Sequence, residues 1–191
     1  IVVLIVFSFN NSKSRGTWSG FTFKWYIELF KDAEVLKALY YTLLMAVLSS
    51  IISTIIGTFA AIGIYGMPGI RKKVILNLNY LPVLNPDIVT AVSLMTLFRF
   101  LRVEFGFITM LLSHITFCIP YVILSILPKL KQMNKYLAEA AMDLGATPLY
   151  ALRKVIIPEI MPGIVTGALI AFTLSVDDFV ISFFNKGAGV T

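Results

Sequence analysis

Residues 134–163, NKYLAEAAMDLGATPLYALRKVIIPEIMPG, lie between two long apolar runs and are built unlike either of them. Leu137, Ala140, Ala141 and Leu144 recur at the spacing of one helix face. Lys135, Glu139 and Asp143 recur every four residues on another side. Gly145 fits the left-handed position just past a helix end. Thr147 followed by Pro148 is a helix start, with the hydroxyl residue as cap and the proline in the first turn. The pattern predicts a helix, a glycine turn and a second helix reaching about Ile156, before Pro158. Between two spans, such a motif is either an amphipathic connector lying on a bilayer or a docking element for a groove on a soluble partner.

The runs on either side decide the class. Of 191 residues, 58% are hydrophobic and 14% charged, and the mean hydropathy is +0.88. A soluble domain has about 45–50% apolar and about 25% charged residues. Residues 38–65, 74–98, 106–128 and 164–184 each supply 20 or more mostly apolar positions, enough for a helix to cross a hydrocarbon core of ~30 Å. The chain reads as an all-α polytopic membrane protein. Its nine-residue start, IVVLIVFSF, is expected to be the outer part of a longer span rather than a signal peptide, because it has no basic segment and no small-residue cleavage site. The final NKGAGVT reads as a polar loop leading to a further helix. The single cysteine, Cys118, lies inside an apolar run, which excludes a disulfide framework. The net charge of +6 is spread over the loops without an aromatic-rich basic surface, which speaks against nucleic-acid binding.

Charge alone does not orient the spans. With 66–73 and 129–163 on one side, that side holds eight Lys and Arg residues and the other side also holds eight. The cluster GIRKK at 69–73 tips the balance slightly. Residues 10–34 read as a polar loop, in which Trp18, Trp25 and Tyr26 are either an interfacial belt or a docking surface. Gly66, Pro68 and Gly69 enforce a turn after the second run. VLNPDIV, 83–89, breaks the third run near its middle, with Asn85 expected as N-cap and Pro86 at the first helical position. Asp87 then sits in the first turn, where the helix dipole favours it, and either this capping role or a pathway role explains it. His114, alone among apolar neighbours, reads first as a satisfied packing residue.

FTLSVDDFVISFF, 172–184, places Asp177 and Asp178 inside an apolar run. Carboxylates at membrane depth are costly, and they mark substrate routes or pair internally. In a continuous helix the two would point about 100° apart, so one is expected on a pathway while the other caps or pairs. Arg99 and Arg102 are the candidate partners for internal pairing. Phe172, Phe179, Phe183 and Phe184 flank the pair.

Glu139-Ala140-Ala141, three residues, Gly145, nine residues, then Val155-Ile156-Ile157-Pro158 resembles the EAA loop of binding-protein-dependent ABC importer permeases. Val155 and Ile157 stand where that pattern has Ile and Leu, which are apolar exchanges. HITFCIPYV (114–122), EAAMDLGAT and FTLSVDDFVISFF narrow the resemblance to spermidine/putrescine permeases of the PotC type. The resemblance implies a type I importer permease fold, about six transmembrane helices in the full chain, with the first cropped and the last absent here. It also implies a single permease domain over 1–191, with the cytoplasmic EAA loop at 129–163, in a bacterial inner membrane.

No G-x-x-x-x-G-K-[ST] pattern occurs, so this chain is expected to hold no cofactor of its own, and ATP and Mg belong to partner subunits. Those partners would be a second permease subunit, two cytosolic ATP-binding subunits and an extracytoplasmic solute-binding protein, with lipid around the spans. The resemblance gives Glu139, Ala140, Ala141, Asp143, Leu144, Gly145 and Pro158 to ATPase coupling, Leu144 as the anchor and Gly145 as the turn. A polyamine cargo would meet Asp177, Asp178, Asp87 and Phe179, since its spaced ammonium groups call for carboxylates and aromatic faces. Three other readings stand beside this one. They are a permease for a sugar, an iron chelate or an oxyanion; an ATP-independent transporter; and an intramembrane aspartyl protease built on Asp87 and Asp177, which leaves the EAA loop unexplained.

Overall fold

The computed structural model describes residues 1–12, 16–134 and 136–187. Ten helices follow in order: α1 (Val2–Phe7), α2 (Lys24–Lys31), α3 (Ala33–Gly66), α4 (Gly69–Leu84), α5 (Asp87–Phe100), α6 (Phe107–Gln132), α7 (Leu137–Asp143), α8 (Pro148–Ala151), α9 (Ile157–Asp177) and α10 (Phe179–Asn185). A π-helical turn, Leu152–Ile156, joins α8 to α9. The chain forms two compact units, one over residues 1–41 and the other beginning at Thr42.

In the first unit, a stretch expected to be an irregular polar loop is organised around a buried asparagine. Asn10 bridges to Phe21; its Nδ2 donates to the Thr17 carbonyl at 2.7 Å, and its Oδ1 accepts from Ser19 N at 2.8 Å. Trp25 Nε1 donates to the Asn10 carbonyl at 2.7 Å. Phe9 stacks on Phe21 and packs against Phe23 and Tyr26. The segment also contains α2. α3 starts at Ala33 rather than residue 38, because Asp32 Oδ1 accepts from Glu34 N at 3.0 Å and caps its first turn.

In the second unit, small residues set the distance between helices. Gly163, Gly167, Ala171 and Ser175 recur every four residues along α9 and face α6. A Cβ on Gly163 would lie 3.2 Å from Ile126, and one on Gly167 would lie 3.2 Å from Val122. Cys118 Sγ reaches the Ala171 carbonyl at 3.5 Å, and Ser175 meets His114. Rising positions on α9 meet falling positions on α6, so the pair is antiparallel. On α3, a Cβ at Gly57 would stand 2.7 Å from Val122, so Val122 fills the space left by glycines on two helices. With lipid tails as apolar as leucine, close backbone approach of this kind and interhelical hydrogen bonds drive association.

Four expectations about boundaries are corrected. Arg71, Lys72 and Lys73 lie in the first turns of α4, not in a loop. At the 83–89 break, the chain bends by 107° between α4 and α5. There Asn85 closes α4 and Pro86, not Asn85, holds the cap position, so that α5 starts at Asp87. The residue before a proline is forced extended, and Pro86 is itself extended, which moves the start on by one. The polar segment 129–163 is not a loop throughout: α6 continues to Gln132, and one uninterrupted helix runs Pro148–Asp177. Pro158 does not stop it, because the wider turn immediately before takes up the clash between the proline ring and the preceding turn. Finally, the 164–184 run is not one helix, since it breaks at Asp178.

The glycine contacts predict a contrast within α3. Gly57→Ala should destabilise the protein by about 1–3 kcal/mol through overpacking on Val122. Gly63→Ala, with nothing within 4 Å of the new methyl, should be neutral or slightly stabilising. Thermal unfolding of both variants in one detergent checks the order.

Candidate functional site

Aspartate is a poor helix-interior residue and a good cap, and the chain uses Asp178 in that way. With ψ at 95° its backbone leaves the helix, and its Oδ1 accepts from Ile181 N at 2.9 Å to start α10. Asp177 ends α9 and is exposed. Of the adjacent pair, then, Asp178 is the capping residue. Its second oxygen, Oδ2, is buried and has no hydrogen-bond partner among the described residues.

Asp87 stands at the start of the other half-helix, α5, which packs against α10. Asn185 Nδ2 ties the two by donating to the Ala91 carbonyl at 3.3 Å. Asp87 and Asp177 both lie close enough for their charges to act on Asp178, and Asp87 is likewise within range of Tyr121 on α6. Three carboxylates from two helix breaks therefore share one neighbourhood. Among the described residues none of them is in a salt bridge, and the pairing considered for Arg99 or Arg102 is not formed. Phe179 is 73% exposed in the first turn of α10, its ring 5.6 Å from that of Phe183.

Behind the break runs a buried polar chain. His114 Nδ1 meets Ser175 Oγ at 2.9 Å, and its Nε2 meets Ser182 Oγ at 3.0 Å. Ser49 Oγ on α3 donates to Ser175 Oγ at 2.9 Å, and Ser182 Oγ donates to the Asp178 carbonyl at 3.0 Å. His114 is a satisfied interior histidine, as its sequence context suggested. The serines and Asn185 were missed. Asn185 looked like the start of a polar loop, yet it is fully buried at the end of α10. The seven-residue spacing of Ser175 and Ser182 across the two aspartates was the available signal.

The other candidate element is the α7–α8 turn. Gly145, at φ +89°, ends α7 by donating to the Met142 carbonyl at 2.9 Å, while Ala146 N reaches the Ala141 carbonyl at 3.1 Å. These two bonds form a Schellman cap that a left-handed glycine makes possible. Thr147 Oγ1 accepts from Tyr150 N at 3.3 Å, and Pro148 opens α8. The apolar stripe divides between two roles. Leu137 packs on the core, whereas Leu144 is 90% exposed. Ala141 is half-buried, Glu139, Ala140 and Asp143 are exposed, and Lys135 lies outside the described residues. Leu144, Gly145, Thr147 and Tyr150 line one open concavity.

Residues 53–190 match the family of binding-protein-dependent transport system inner membrane components, and the chain belongs to that family. It is therefore a multi-pass inner-membrane permease with the type I fold, one component of an ABC transport assembly. Over 187 residues it is 41% identical to the spermidine/putrescine transport system permease protein PotC of Escherichia coli (strain K12), covering 98% of this chain and 71% of that relative. The PotC of Haemophilus influenzae is 37% identical, with 98% and 73% covered. The putrescine transport system permease protein PotI of Escherichia coli (strain K12) is 37% identical over 198 residues, with 100% and 70% covered.

The capping geometry separates two substitutions at one position. Asp178→Ala should lower stability by about 0.5–2 kcal/mol through loss of the cap, whereas Asp178→Asn keeps an acceptor for Ile181 N and should melt close to the parent. Paired melting curves of the purified protein check this.

Proposed function

We propose that this chain is the permease subunit of an ATP-driven importer and forms part of the route by which polyamines cross the inner membrane. The observation that carries the reading is the gathering of Asp87, Asp177 and Asp178 at two helix breaks, with no cation among the described residues in a salt bridge to any of them. Uncompensated carboxylates at membrane depth are costly, and a cationic cargo lowers that cost while it passes. A polyamine brings ammonium groups separated by alkyl segments. Asp177 is exposed to meet one of them, and Asp178, its Oδ1 committed to the cap and its Oδ2 buried without a partner among the described residues, adds an unpaired carboxylate beside it. Phe179 and Phe183 offer ring faces to the same charges. The relatives named for spermidine and putrescine support this cargo over a sugar or an oxyanion.

Coupling follows from the shape of one element. The helix Pro148–Asp177 has 30 residues, ~45 Å at 1.5 Å each, with the docking turn at its start and Asp177 at its end. Leu144 is the anchor for a groove on an ATP-binding subunit, and Glu139 and Asp143 supply polar contacts at its rim. Two such subunits bind ATP and Mg, a second permease completes the route, and an external solute-binding protein delivers the cargo. Closure of the ATPase pair pushes on the turn, and the rod carries the displacement to the carboxylates.

The test is ATP-dependent uptake of labelled spermidine into vesicles holding the chain with its co-encoded subunits. Unlabelled putrescine should block uptake and a neutral sugar should not. Asp177→Asn and Asp178→Asn should each raise KM about tenfold, the loss of roughly one charge-assisted contact. Leu144→Asp should uncouple uptake from ATP while the spans still fold. Absence of uptake with the ATPase assembled and active would leave the permease and remove polyamine as its cargo.

A further inference from the structure

A helix broken inside a membrane loses the i→i−4 bonds that fix the angle between its halves, so something else must hold α9 and α10 in place. Among the described residues His114 alone hydrogen-bonds to both halves, through Ser175 before the break and Ser182 after it. The imidazole is 1% exposed, and burying its two polar nitrogens is unfavourable unless both are bonded. One direction of donation satisfies the whole chain. Ser49 donates to Ser175, Ser175 donates to Nδ1, Nε2–H donates to Ser182, and Ser182 donates to the Asp178 carbonyl. In this arrangement the ring is neutral, protonated on Nε2, and each hydroxyl donates once. The chain ends on the backbone of the residue that carries the capping carboxylate.

We propose that His114 is a positioning residue, a clamp that fixes the two half-helices about Asp177 and Asp178 and so sets how tightly their carboxylates hold a cationic cargo. This rests on the reading of that break as part of the polyamine route. The ring does not touch the cargo itself. It holds the Asp178 backbone from one side through Ser182 while α3 holds the other half through Ser49.

The test uses the full assembly in vesicles and two readouts. The first is KM against Vmax for labelled spermidine, per assembled transporter. The second is the rate at which a cationic methanethiosulfonate labels Phe179→Cys in a Cys118→Ala background, which reports the set of α10 without any transport. His114→Phe keeps a planar aromatic ring, somewhat larger than imidazole, and loses both bonds. It should raise KM about tenfold with Vmax nearly unchanged, and alter the labelling rate by about fivefold or more. His114→Asn places an amide near the Nδ1 position and His114→Gln near Nε2, so each should restore part of KM. Ser182→Ala should raise KM alone and add nothing in the His114→Phe background. It carries the same test should His114→Phe fail to assemble.

Unchanged KM and labelling rate in His114→Phe, with Asp178→Asn raising KM, would overturn the clamp and leave the cation route standing. A shifted labelling rate with KM moved by neither His114→Phe nor Asp178→Asn would uphold the clamp and remove the route beneath it.

Discussion

A backbone that leaves its helix inside hydrocarbon must find its hydrogen-bond partners within the protein, since no water is there to supply them. Both interruptions in this chain meet that constraint locally. At the first, Val89 N turns back to the Pro86 carbonyl at 2.9 Å, while the proline has no amide to satisfy. At the second, the Asp178 carboxylate takes Ile181 N and the Ser182 hydroxyl takes the Asp178 carbonyl. The result is two half-helices, α5 and α10, packed together and each opening on an acid. The serines on α3 and α9 and the glycines facing Val122 bring the backbones close enough for that polar arrangement to close around His114.

The same segment joins the break to the α7–α8 turn. A proline within a helix usually bends or ends it, and Pro158 would have separated the α7–α8 turn from the span. The π-helical turn Leu152–Ile156 removes that separation, and the helix continues to Asp177. The two ends of the apolar stripe then have different jobs. Leu137 ties α7 to its own core, and Leu144 is left outside it. An exposed leucine on a capped turn at the start of a continuous 30-residue helix is the geometry on which the proposed coupling rests.

Much of this was legible in one dimension, and the exceptions have physical causes. The spans stand out because runs of apolar residues have no other use in a chain this poor in charge. The first break is legible because proline acts on its neighbour whatever the tertiary context. The second was not, since an aspartate pair inside an apolar run does not announce whether it sits mid-helix or caps a new one. Asp32 hid the early start of α3 in the same manner, by capping from within a polar stretch. Pro158 misled because the cost of a proline depends on the width of the preceding turn, which no local residue pattern displays. Ser49, Ser175 and Ser182 were invisible individually. A serine in a span becomes meaningful only when its partner on another helix is known. Asn185 followed from the same blindness, being polar, near the end of the described chain and yet fully buried between α5, α6 and α10.

The central claim is that a cation passes the acid-bearing starts of α5 and α10. The measurement that tests it most directly is photolabelling of the assembled transporter during turnover with a spermidine derivative carrying a short aryl azide, followed by peptide mapping. The account predicts label within residues 172–187 and near Asp87, displaced by excess unlabelled spermidine and absent without the binding protein. Label confined to other parts of the spans, or label at these positions that excess spermidine does not displace, would contradict it.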